Sequence, residues 1–299
     1  MSSDFTKNTK NTKNKKIVWV ILGVLICLNL IVWVVVWDLS RTGDLEVVFF
    51  DVGQGDSIFI ETPQGHQILI DGGPSSVILE KLAQEIPFYD RTIDLIILTH
   101  PERDHYFGLF EVLKRYEVDN ILWTGIIRDT AEWQEWVRLL EEEGAEIRIA
   151  EAGQKIIFQE DPLIFMEILH PFENLEGQEI KNSNDTSIVA RLVFDDISFL
   201  FTGDIGKKVE AKLVKQNTDL DSDVLKVCHH GSKTSSSLGF LEAVSPEIAV
   251  IQVGENSYGH PHQEVLSNLE EFDIEILITK ELGDIKVISN GDNFKIKEE

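Results

Sequence analysis

Four side chains that can bind metal ions lie within six residues of one another, namely His100, Glu102, Asp104 and His105. They follow the apolar run at residues 95–98, which has the composition of a buried strand. Alternation along the extended chain places His100 and Glu102 on one side, whereas Asp104 and His105 begin a helical turn and diverge. This layout favours two metal ions at the end of a strand, although Asp104 alone could also serve as a helix cap.

Five further polar motifs, each containing aspartate or histidine, follow apolar runs elsewhere in the chain. They occupy residues 51–57, 71–73, 202–204, 229–232 and 256–262. Adjacent histidines at a strand end, such as His229 and His230, are rarely core residues, and His260 is expected at the same sheet edge as His100 and Asp204. Taken alone, the turn at residues 51–57 is only an acidic hairpin loop. Together the motifs favour one composite site.

These motifs, in this order, resemble those of the metallo-β-lactamase-fold hydrolases, and in particular the extracellular domain of ComEC-type competence proteins. The match covers residues 45–290. It departs at Glu102, where the wider fold has His and this branch has Asp, and at Phe107, where a second Gly is usual. The resemblance implies an α/β fold, a metallo-β-lactamase-like four-layer αββα sandwich preceded by one transmembrane helix.

The resemblance also implies a division of roles among the polar side chains. Metal ligands are expected at His100, Glu102, Asp104, His105, Asp204, His229 and His260. Asp204 is expected to bridge two ions. Catalytic roles are expected for Asp104, His229 and His230, and His230 would stabilise the phosphate charge or protonate the leaving alcohol. Which of His229 and His230 binds metal stays open.

Supporting roles fall on residues around these ligands. Asp51 and Asp71 are expected to orient the ligating imidazoles from behind. Ser232 and Lys233 begin a small polar run that predicts a helix start, whose backbone amides would hold a phosphate unless they only cap the helix. Asn184 or Asp185 stands where many relatives have a His ligand, which is expected to leave one metal position weaker or completed by solvent. Asn184 is expected to contact the substrate phosphate.

Imidazole and carboxylate ligands without thiolate suit Zn²⁺ or Mn²⁺, and two such ions lower the pKa of a shared water toward neutrality. The ligand chemistry therefore predicts a metal-dependent hydrolase that uses an activated hydroxide. The resemblance to the ComEC-type domain implies that it cleaves phosphodiesters as a nuclease acting on DNA, during competence and DNA uptake. One alternative is a phosphodiesterase for cell-envelope substrates such as phosphocholine or teichoic acids. An alternative of another class is a catalytically degenerate binding component of a DNA-uptake system.

The segment before this domain predicts a membrane anchor. Residues 1–16 form a basic, disordered leader, residues 17–37 an uncharged span of 21 residues, residues 38–44 a linker, and residues 45–299 the hydrolase domain. A cleaved signal peptide is less favoured, because the span exceeds the usual apolar region and no small-residue cleavage site follows. The lysines of the leader predict a cytoplasmic N-terminus and an extracellular catalytic domain, held at the cell membrane by a single pass.

The charge of the domain limits how it can meet a polyanion. Residues 42–299 contain 21 basic and 50 acidic residues, a net charge of −29. Such a surface repels nucleic acid, so a DNA substrate must be drawn in by bound metal and local groups rather than by the overall field. Cys27 lies in the apolar span, and Cys228 is the single cysteine of the domain, so no disulfide can form within it.

Overall fold

The N-terminal part of the protein is one long helix. The structure, a computed structural model, describes residues 5–39, 43–216 and 218–298, and it divides into two units between Gly43 and Asp44. The first unit is helix α1 (Phe5–Leu39), whose stretch Lys16–Trp33 is long and apolar enough to cross a membrane. Every side chain of that stretch is exposed. Length and composition therefore make it a candidate span, and its topology stays a prediction.

Helix α1 begins at Phe5, within the predicted leader, and residues 1–4 lie outside the described residues. The disorder of the leader stays a prediction. Residues 40–42 of the predicted linker also lie outside the described residues.

The described part of the second unit contains fifteen strands and eight helices. The strands are β1 (Leu45–Phe49), β2 (Ile58–Glu61), β3 (Gln67–Ile70), β4 (Thr92–Ile97), β5 (Glu117–Trp123), β6 (Glu146–Ile149), β7 (Lys155–Glu160), β8 (Leu163–His170), β9 (Val189–Phe194), β10 (Ile197–Phe201), β11 (Val224–Lys226), β12 (Ile248–Ile251), β13 (Glu275–Ile278), β14 (Ile285–Ser289) and β15 (Phe294–Glu298). The helices are α2 (Val77–Glu85), α3 (Arg103–Tyr106), α4 (Leu109–Leu113), α5 (Ala131–Glu143), α6 (Lys207–Lys215), α7 (Leu238–Val244), α8 (Gln263–Glu271) and α9 (Thr279–Leu282).

The strands form two sheets with helices outside them. The first sheet has the order β15-β14-β1-β2-β3-β4-β5-β6, and the second has the order β13-β12-β11-β10-β9-β8-β7. Because side chains alternate along a strand, each strand contributes to two layers. Phe49 of β1 and Phe199 of β10 pack in the core between the sheets, whereas Val48 of β1 packs with the buried Trp136 of α5 outside the first sheet. A third core joins the second sheet to α6, α7 and α8. The predicted four-layer αββα sandwich is confirmed.

The direction of the strands decides where the polar motifs meet. Strands β3, β4, β5 and β6 run parallel, with Ile70 opposite Ile97, and β10, β11, β12 and β13 also run parallel, with Lys226 opposite Val250. β1 and β2 are antiparallel, so the loop that joins them lies at the edge where β3 ends. Parallel strands end at one edge of a sheet, which is where α/β proteins place their ligand sites. The predicted motifs therefore converge at the carboxyl edges of the two sheets.

Candidate metal centre

Each side chain of the centre follows a strand that ends at the shared edge. Asp71 follows β3, His100 and His105 follow β4, Asp204 follows β10, and His230 follows β11. All five side chains are buried, although they are polar or charged. Buried groups of this kind are almost always paired with one another or with an ion. The two sheets therefore bring together residues that are far apart in the sequence.

Ligand atoms of these side chains converge to distances suited to a metal ion. Among the described residues, four groups of three place one ligand atom each within 4.8 Å of one another: His100, His105 and Asp204; Asp104, His105 and His230; Asp56, Asp71 and His105; and Asp56, Asp204 and His230. His105 belongs to three of these groups and Asp204 to two. The predicted residues His100, Asp104, His105 and Asp204 therefore lie together, and His230 lies with them.

Three imidazoles face one carboxylate oxygen. Asp204 Oδ2 lies 3.4 Å from Nε2 of both His105 and His230, and 3.9 Å from Nε2 of His100. Within the described residues, these three Nε2 atoms are buried and have no hydrogen-bond partner. Buried polar atoms without partners are rare in native proteins, because each one loses the hydrogen bond that it had with water. Their convergence on Asp204 fits the residues to a divalent cation.

The opposite ring nitrogens are all engaged, which fixes how the rings are protonated. His105 Nδ1 donates to Asp71 Oδ2 at 2.8 Å, and His230 Nδ1 donates to the carbonyl of Gln252 at 2.9 Å. His100 Nδ1 lies 3.0 Å from the Thr99 hydroxyl, which donates in turn to Asp71 Oδ2 at 2.6 Å. A nitrogen that donates outward leaves the lone pair of the other nitrogen facing inward. Asp71 therefore has the geometry of the predicted orienting carboxylate.

Carboxylates draw positive charge to the centre. Burial alone would lower the pKa of His105 and His230, but Asp204 acts on both rings, with Asp71 beside His105 and Asp56 beside His230, and these carboxylates raise both pKa values well above the ordinary range. His100 differs, because burial and then the neighbouring charge of His105 lower its pKa to about 3. A divalent cation satisfies the same carboxylates and needs the imidazoles neutral.

Sequence reasoning missed two buried charges at the centre, Asp56 and Lys226. The Lys226 ammonium pairs with Asp56 and lies 3.9 Å from Asp204 Oδ1. Lys226 is the last residue of the apolar strand β11, and a lysine in a buried strand is itself a signal, because lysine is almost never fully buried without a partner. Asp56 lies two residues before β2, at the edge where β3 ends. The position of Asp56 at this shared edge, more than its turn motif, indicates that its carboxylate reaches the centre.

The backbone of the centre is strained at three of these residues. Asp71, His229 and His230 adopt the left-handed region with φ of 57°, 51° and 52°. This region costs a residue with a side chain about 1–2 kcal/mol. Such residues cluster at functional sites, where the surrounding structure holds them in place. The turn after β11 therefore keeps an unfavourable conformation that aims His230 into the centre.

A cleft of about 230 Å³ opens onto the centre. It is lined by Gln54, Glu102, Asp104, Asn184, Asp204, His229, His230, Tyr258 and His260. Its openness to solvent leaves Asp104 and His229 partly exposed, while Asp204 and His230 form its buried floor. Most of the predicted catalytic and metal residues therefore border one cleft.

The two adjacent histidines, between which the sequence left the metal ligand open, lie in different surroundings. His230, predicted to contact substrate, is buried, with Nε2 3.4 Å from both Asp104 Oδ2 and Asp204 Oδ2. His229, predicted to complete a metal site, has a side chain that is 27% exposed, and its Nε2 lies 3.8 Å from Asp204 Oδ2. The cause is the left-handed turn, which directs the two rings apart at an interplanar angle of 72°. The His230 ring therefore lies in the buried floor of the centre, whereas the His229 ring borders the open cleft.

Glu102 borders the cleft, but its carboxylate is engaged elsewhere. Arg128 Nη2 donates to Glu102 Oε1 at 2.8 Å, and the Ser183 hydroxyl also donates to this oxygen. Glu102 belongs to none of the four convergent groups. His260 also lines the cleft outside those groups, with its ring 6.4 Å from that of His230. Metal binding by Glu102 and His260 stays a prediction.

Three supporting predictions need correction or qualification. Asp51 does not reach an imidazole, because its carboxylate accepts the N–H of Gly53 within its own turn, and Asp56 of the same turn reaches the centre instead. Ser232 and Lys233 do not open a helix, since α7 begins at Leu238, and the Ser232 hydroxyl pairs with Thr234. Neither lines the cleft, whereas Asn184 does.

Comparison with known proteins gives the same fold. The family model for the metallo-beta-lactamase superfamily matches residues 50–255. The chain is 31% identical over 267 residues to ComE operon protein 3 of Bacillus subtilis and 33% identical over 238 residues to competence protein ComA of Neisseria gonorrhoeae, covering 83% and 78% of this chain. It spans about a third of the length of those relatives, 33% and 30%. The predicted resemblance to ComEC-type proteins is confirmed.

A solved structure agrees at the level of the fold. The metallo-beta-lactamase fold protein YhfI from Bacillus subtilis matches with a TM-score of 0.51 at 13% identity, over 79% of this chain and 97% of that chain. At this identity the match shows the arrangement of sheets and helices alone. The site rests on the contacts described above.

Proposed function

The chain belongs to the metallo-beta-lactamase superfamily, and from that premise we propose that its second unit is a metal-dependent phosphodiesterase that cleaves nucleic acid, with DNA as substrate. The observation that carries the proposal is the convergence of three buried, unpaired Nε2 atoms on Asp204 Oδ2. A catalytically degenerate receptor would gain nothing from keeping these atoms unpaired, since each one costs stability. The DNA assignment draws on the similarity to a protein named as a competence protein.

The convergent atoms can hold two cations. We assign His100, His105 and Asp204 to one ion. Asp104 and His230 would hold the second, since His230 Nε2 lies 3.4 Å from both Asp104 Oδ2 and Asp204 Oδ2. Imidazole and carboxylate ligands suit Zn²⁺ or Mn²⁺. When bound, two such ions supply Lewis acidity that polarises the phosphodiester and lowers the pKa of water toward neutrality. The buried pair of Lys226 and Asp56 lies beside Asp204 and contributes to the net charge around the proposed metal site.

Two polar side chains of the cleft, His229 and Asn184, can transfer the proton and bind the phosphate. His229 Nε2 points into the cleft and lies 3.4 Å from Asn184 Nδ2, a contact in which the amide donates. When the Asn184 amide turns from His229 to the substrate, the Nε2 lone pair is free to accept the proton of the attacking water and return it to the leaving alcohol, the role of a general acid–base group. Asn184 Nδ2 is placed to donate to a phosphate oxygen. His229 and Asn184 thus replace the roles first expected for His230 and for Ser232 and Lys233.

The test uses the purified full-length chain in detergent with Mn²⁺ or Zn²⁺. Single-stranded DNA, duplex DNA, RNA and bis(p-nitrophenyl) phosphate are offered in parallel, and metal content is measured on the same samples. Asp204→Asn should lose both bound metal and hydrolysis, because one carboxylate serves both ions. The matched control is Asp196→Asn, the same change in the exposed turn before β10, which should behave as wild type.

Each other outcome has a defined meaning. Hydrolysis of bis(p-nitrophenyl) phosphate with DNA and RNA untouched under both metals would reject the nuclease and favour a cell-envelope phosphodiesterase. A wild-type chain that binds no metal and hydrolyses nothing would reject the enzyme and favour the degenerate binding component.

We also propose that α1 anchors the domain on the outer face of the cell membrane. Five lysines precede the apolar stretch, at positions 7, 10, 13, 15 and 16, and positive residues stay on the cytoplasmic side. Protease added to intact cells should then remove the domain. Full protection until lysis would reject this topology.

A further inference from the structure

Tyr258 is an exposed aromatic side chain at the mouth of the cleft. In the described part of the second unit, three aromatic side chains are more than half exposed: Phe88 at 85%, Tyr89 at 77% and Tyr258 at 69%. Of these, only Tyr258 lines the cleft, with its ring 5.7 Å from that of His260 and tilted by 31°. Neither the centre nor the proposed proton transfer makes use of it. Its position next to the reacting groups therefore calls for a separate role.

The backbone that carries Tyr258 is held firmly. Asn256 Oδ1 accepts the N–H groups of Tyr258, Gly259 and His260 at 3.1, 2.9 and 3.0 Å. Asn256 Nδ2 donates to the carbonyls of Gly254 and His260, both at 2.9 Å. The loop also packs tightly on the turn after β1, since a Cβ on Gly254 would lie 2.4 Å from the carbonyl carbon of Gly53. A fixed loop means that a ligand stacking on the ring orders few additional groups.

We propose that Tyr258 is a stacking platform for one unpaired nucleobase next to the scissile phosphate, an inference that rests on the proposed phosphodiesterase function. Aromatic rings that bind single strands contribute about 1–3 kcal/mol per stacked base, whatever the base. Rings with two rotatable side-chain bonds offer this area at low entropic cost. The subsite therefore takes a purine or pyrimidine ring, and the substrate is single-stranded nucleic acid.

The charge of the domain explains why such a contact is needed. With a net charge of −29 over residues 42–299, the surface cannot gain affinity by neutralising many phosphates. Stacking is independent of that field, because it acts on the uncharged face of the base. In a duplex both faces of each base are covered by neighbours, so a base can stack on Tyr258 only when it is unstacked. A single strand meets this condition.

The experiment compares a base with no base at the same phosphate. The purified full-length chain with Mn²⁺ is given a single-stranded oligonucleotide and an oligonucleotide of equal length and charge built from abasic sites. Wild type should show a KM about tenfold or more lower for the base-bearing strand, the scale of one stacked base. Tyr258→Ala should raise that KM toward the abasic value with little change in kcat, because stacking is a binding contact.

Two further variants separate stacking from other roles of Tyr258. Tyr258→Phe should keep the low KM and Tyr258→Trp should lower it further, since both retain a ring. Tyr89→Ala removes an equally exposed tyrosine that does not line the cleft, and it should match wild type. Equal losses in Tyr258→Ala and Tyr258→Phe would assign the role to the hydroxyl and overturn the platform.

The proposed function and the platform fail in different ways. A wild-type chain that cleaves both oligonucleotides with the same KM keeps the phosphodiesterase and overturns the stacking subsite. A wild-type chain that cleaves neither oligonucleotide, but hydrolyses bis(p-nitrophenyl) phosphate, keeps the phosphodiesterase and rejects a nucleic-acid substrate together with the platform. A chain that hydrolyses none of the three overturns both.

Discussion

The two sheets supply the centre in different ways. The first sheet contributes His100 from the loop after β4 and Asp104 and His105 from helix α3, which follows that loop, and the loop after the neighbouring β3 adds Asp71 to hold them. The second sheet contributes Asp204 and His230 one at a time, after β10 and β11. The first set is a dense local motif, whereas the second set meets the first only when the sheets pack. Two kinds of support follow from this difference.

On the side of the first sheet, the support is a relay of hydrogen bonds. Asp71 accepts from the backbone N–H of Thr99 at 2.8 Å, from its hydroxyl at 2.6 Å and from His105 at 2.8 Å. On the side of the second sheet, the support is the buried pair of Lys226 with Asp56 and a left-handed turn at His230. A local motif can be oriented by its neighbours in sequence, but isolated residues need charge and strain to fix them.

The largest expected effect separates the adjacent histidines of the second sheet. His230→Ala should remove a ligand from the floor of the centre, so that metal content falls and hydrolysis drops to background. His229→Ala should keep the metal and lower kcat by about 10²-fold or more, the scale of a lost acid–base group. Metal analysis and kinetics on the full-length chain measure both effects, with His66→Ala, a half-exposed histidine far from the cleft, as the control.

The opposite result would restore the order inferred from sequence. If His229→Ala loses metal while His230→Ala keeps it, then the strained turn holds its rings differently with metal bound.

The contrast between the sheets also explains what the sequence could reveal. The centre's local half was predictable, because His100, Asp104 and His105 follow an apolar strand within six residues, and Asp71 follows another. Asp204 needed the family resemblance, since a lone Gly-Asp turn carries no signal. The roles of His229 and His230 depend on two consecutive left-handed residues, which no propensity predicts for histidine.

Other parts depended on contacts between distant residues. The alternation of side chains along the extended chain predicted that Glu102 binds metal. In the structure Arg128, 26 residues later, donates a hydrogen bond to its carboxylate. Lys226 was passed over as part of an apolar strand, and its partner Asp56 lies in the turn before β2 on the other sheet. The strand pattern and the layers follow from local periodicity, whereas ion pairs across the sandwich follow from packing.

An intermediate effect tests the charge support of the second sheet. Lys226→Met removes the ammonium that pairs with Asp56 and leaves this buried carboxylate only the imidazoles of His230, at 3.2 Å, and His105, at 3.9 Å. The free energy of unfolding of the metal-free chain should therefore fall, by up to about 3–5 kcal/mol. The double variant Lys226→Met/Asp56→Asn should recover much of this loss, because the uncompensated charge is gone. Thermal or denaturant unfolding measures both. Lys207→Met, which breaks an exposed pair with Glu264, should change stability little.

A Lys226→Met chain as stable as wild type would contradict this account. It would mean that protons or ions already neutralise the negative charge of Asp56 and that the Lys226 ammonium contributes packing alone.

The smallest expected effect concerns the one member of the local motif that turns outward. Glu102 Oε1 accepts from Arg128 Nη2 at 2.8 Å, and the Arg128 side chain is further fixed by the carbonyl of Pro101 at 2.6 Å. Glu102→Gln should therefore leave metal content unchanged and alter kcat by no more than a few-fold, the scale of a partly exposed ion pair. A loss of bound metal in this variant would show that Glu102 is a ligand after all.

Arg128→Ala sharpens the same point, because it frees the Glu102 carboxylate beside the cleft without removing it. If Arg128 holds Glu102 away from the centre, Arg128→Ala should raise the affinity for Mn²⁺ relative to Zn²⁺, since an added carboxylate oxygen favours the harder ion. The double variant Arg128→Ala/Glu102→Gln should return the metal preference to that of wild type. If Arg128→Ala shifts the preference and the double variant keeps the shift, the cause lies in the lost guanidinium and Glu102 takes no part. The local motif would then have three ligands, His100, Asp104 and His105. Its departure from the family pattern at Glu102 would give this residue an ion pair with Arg128 and would leave the metal preference of the site unchanged.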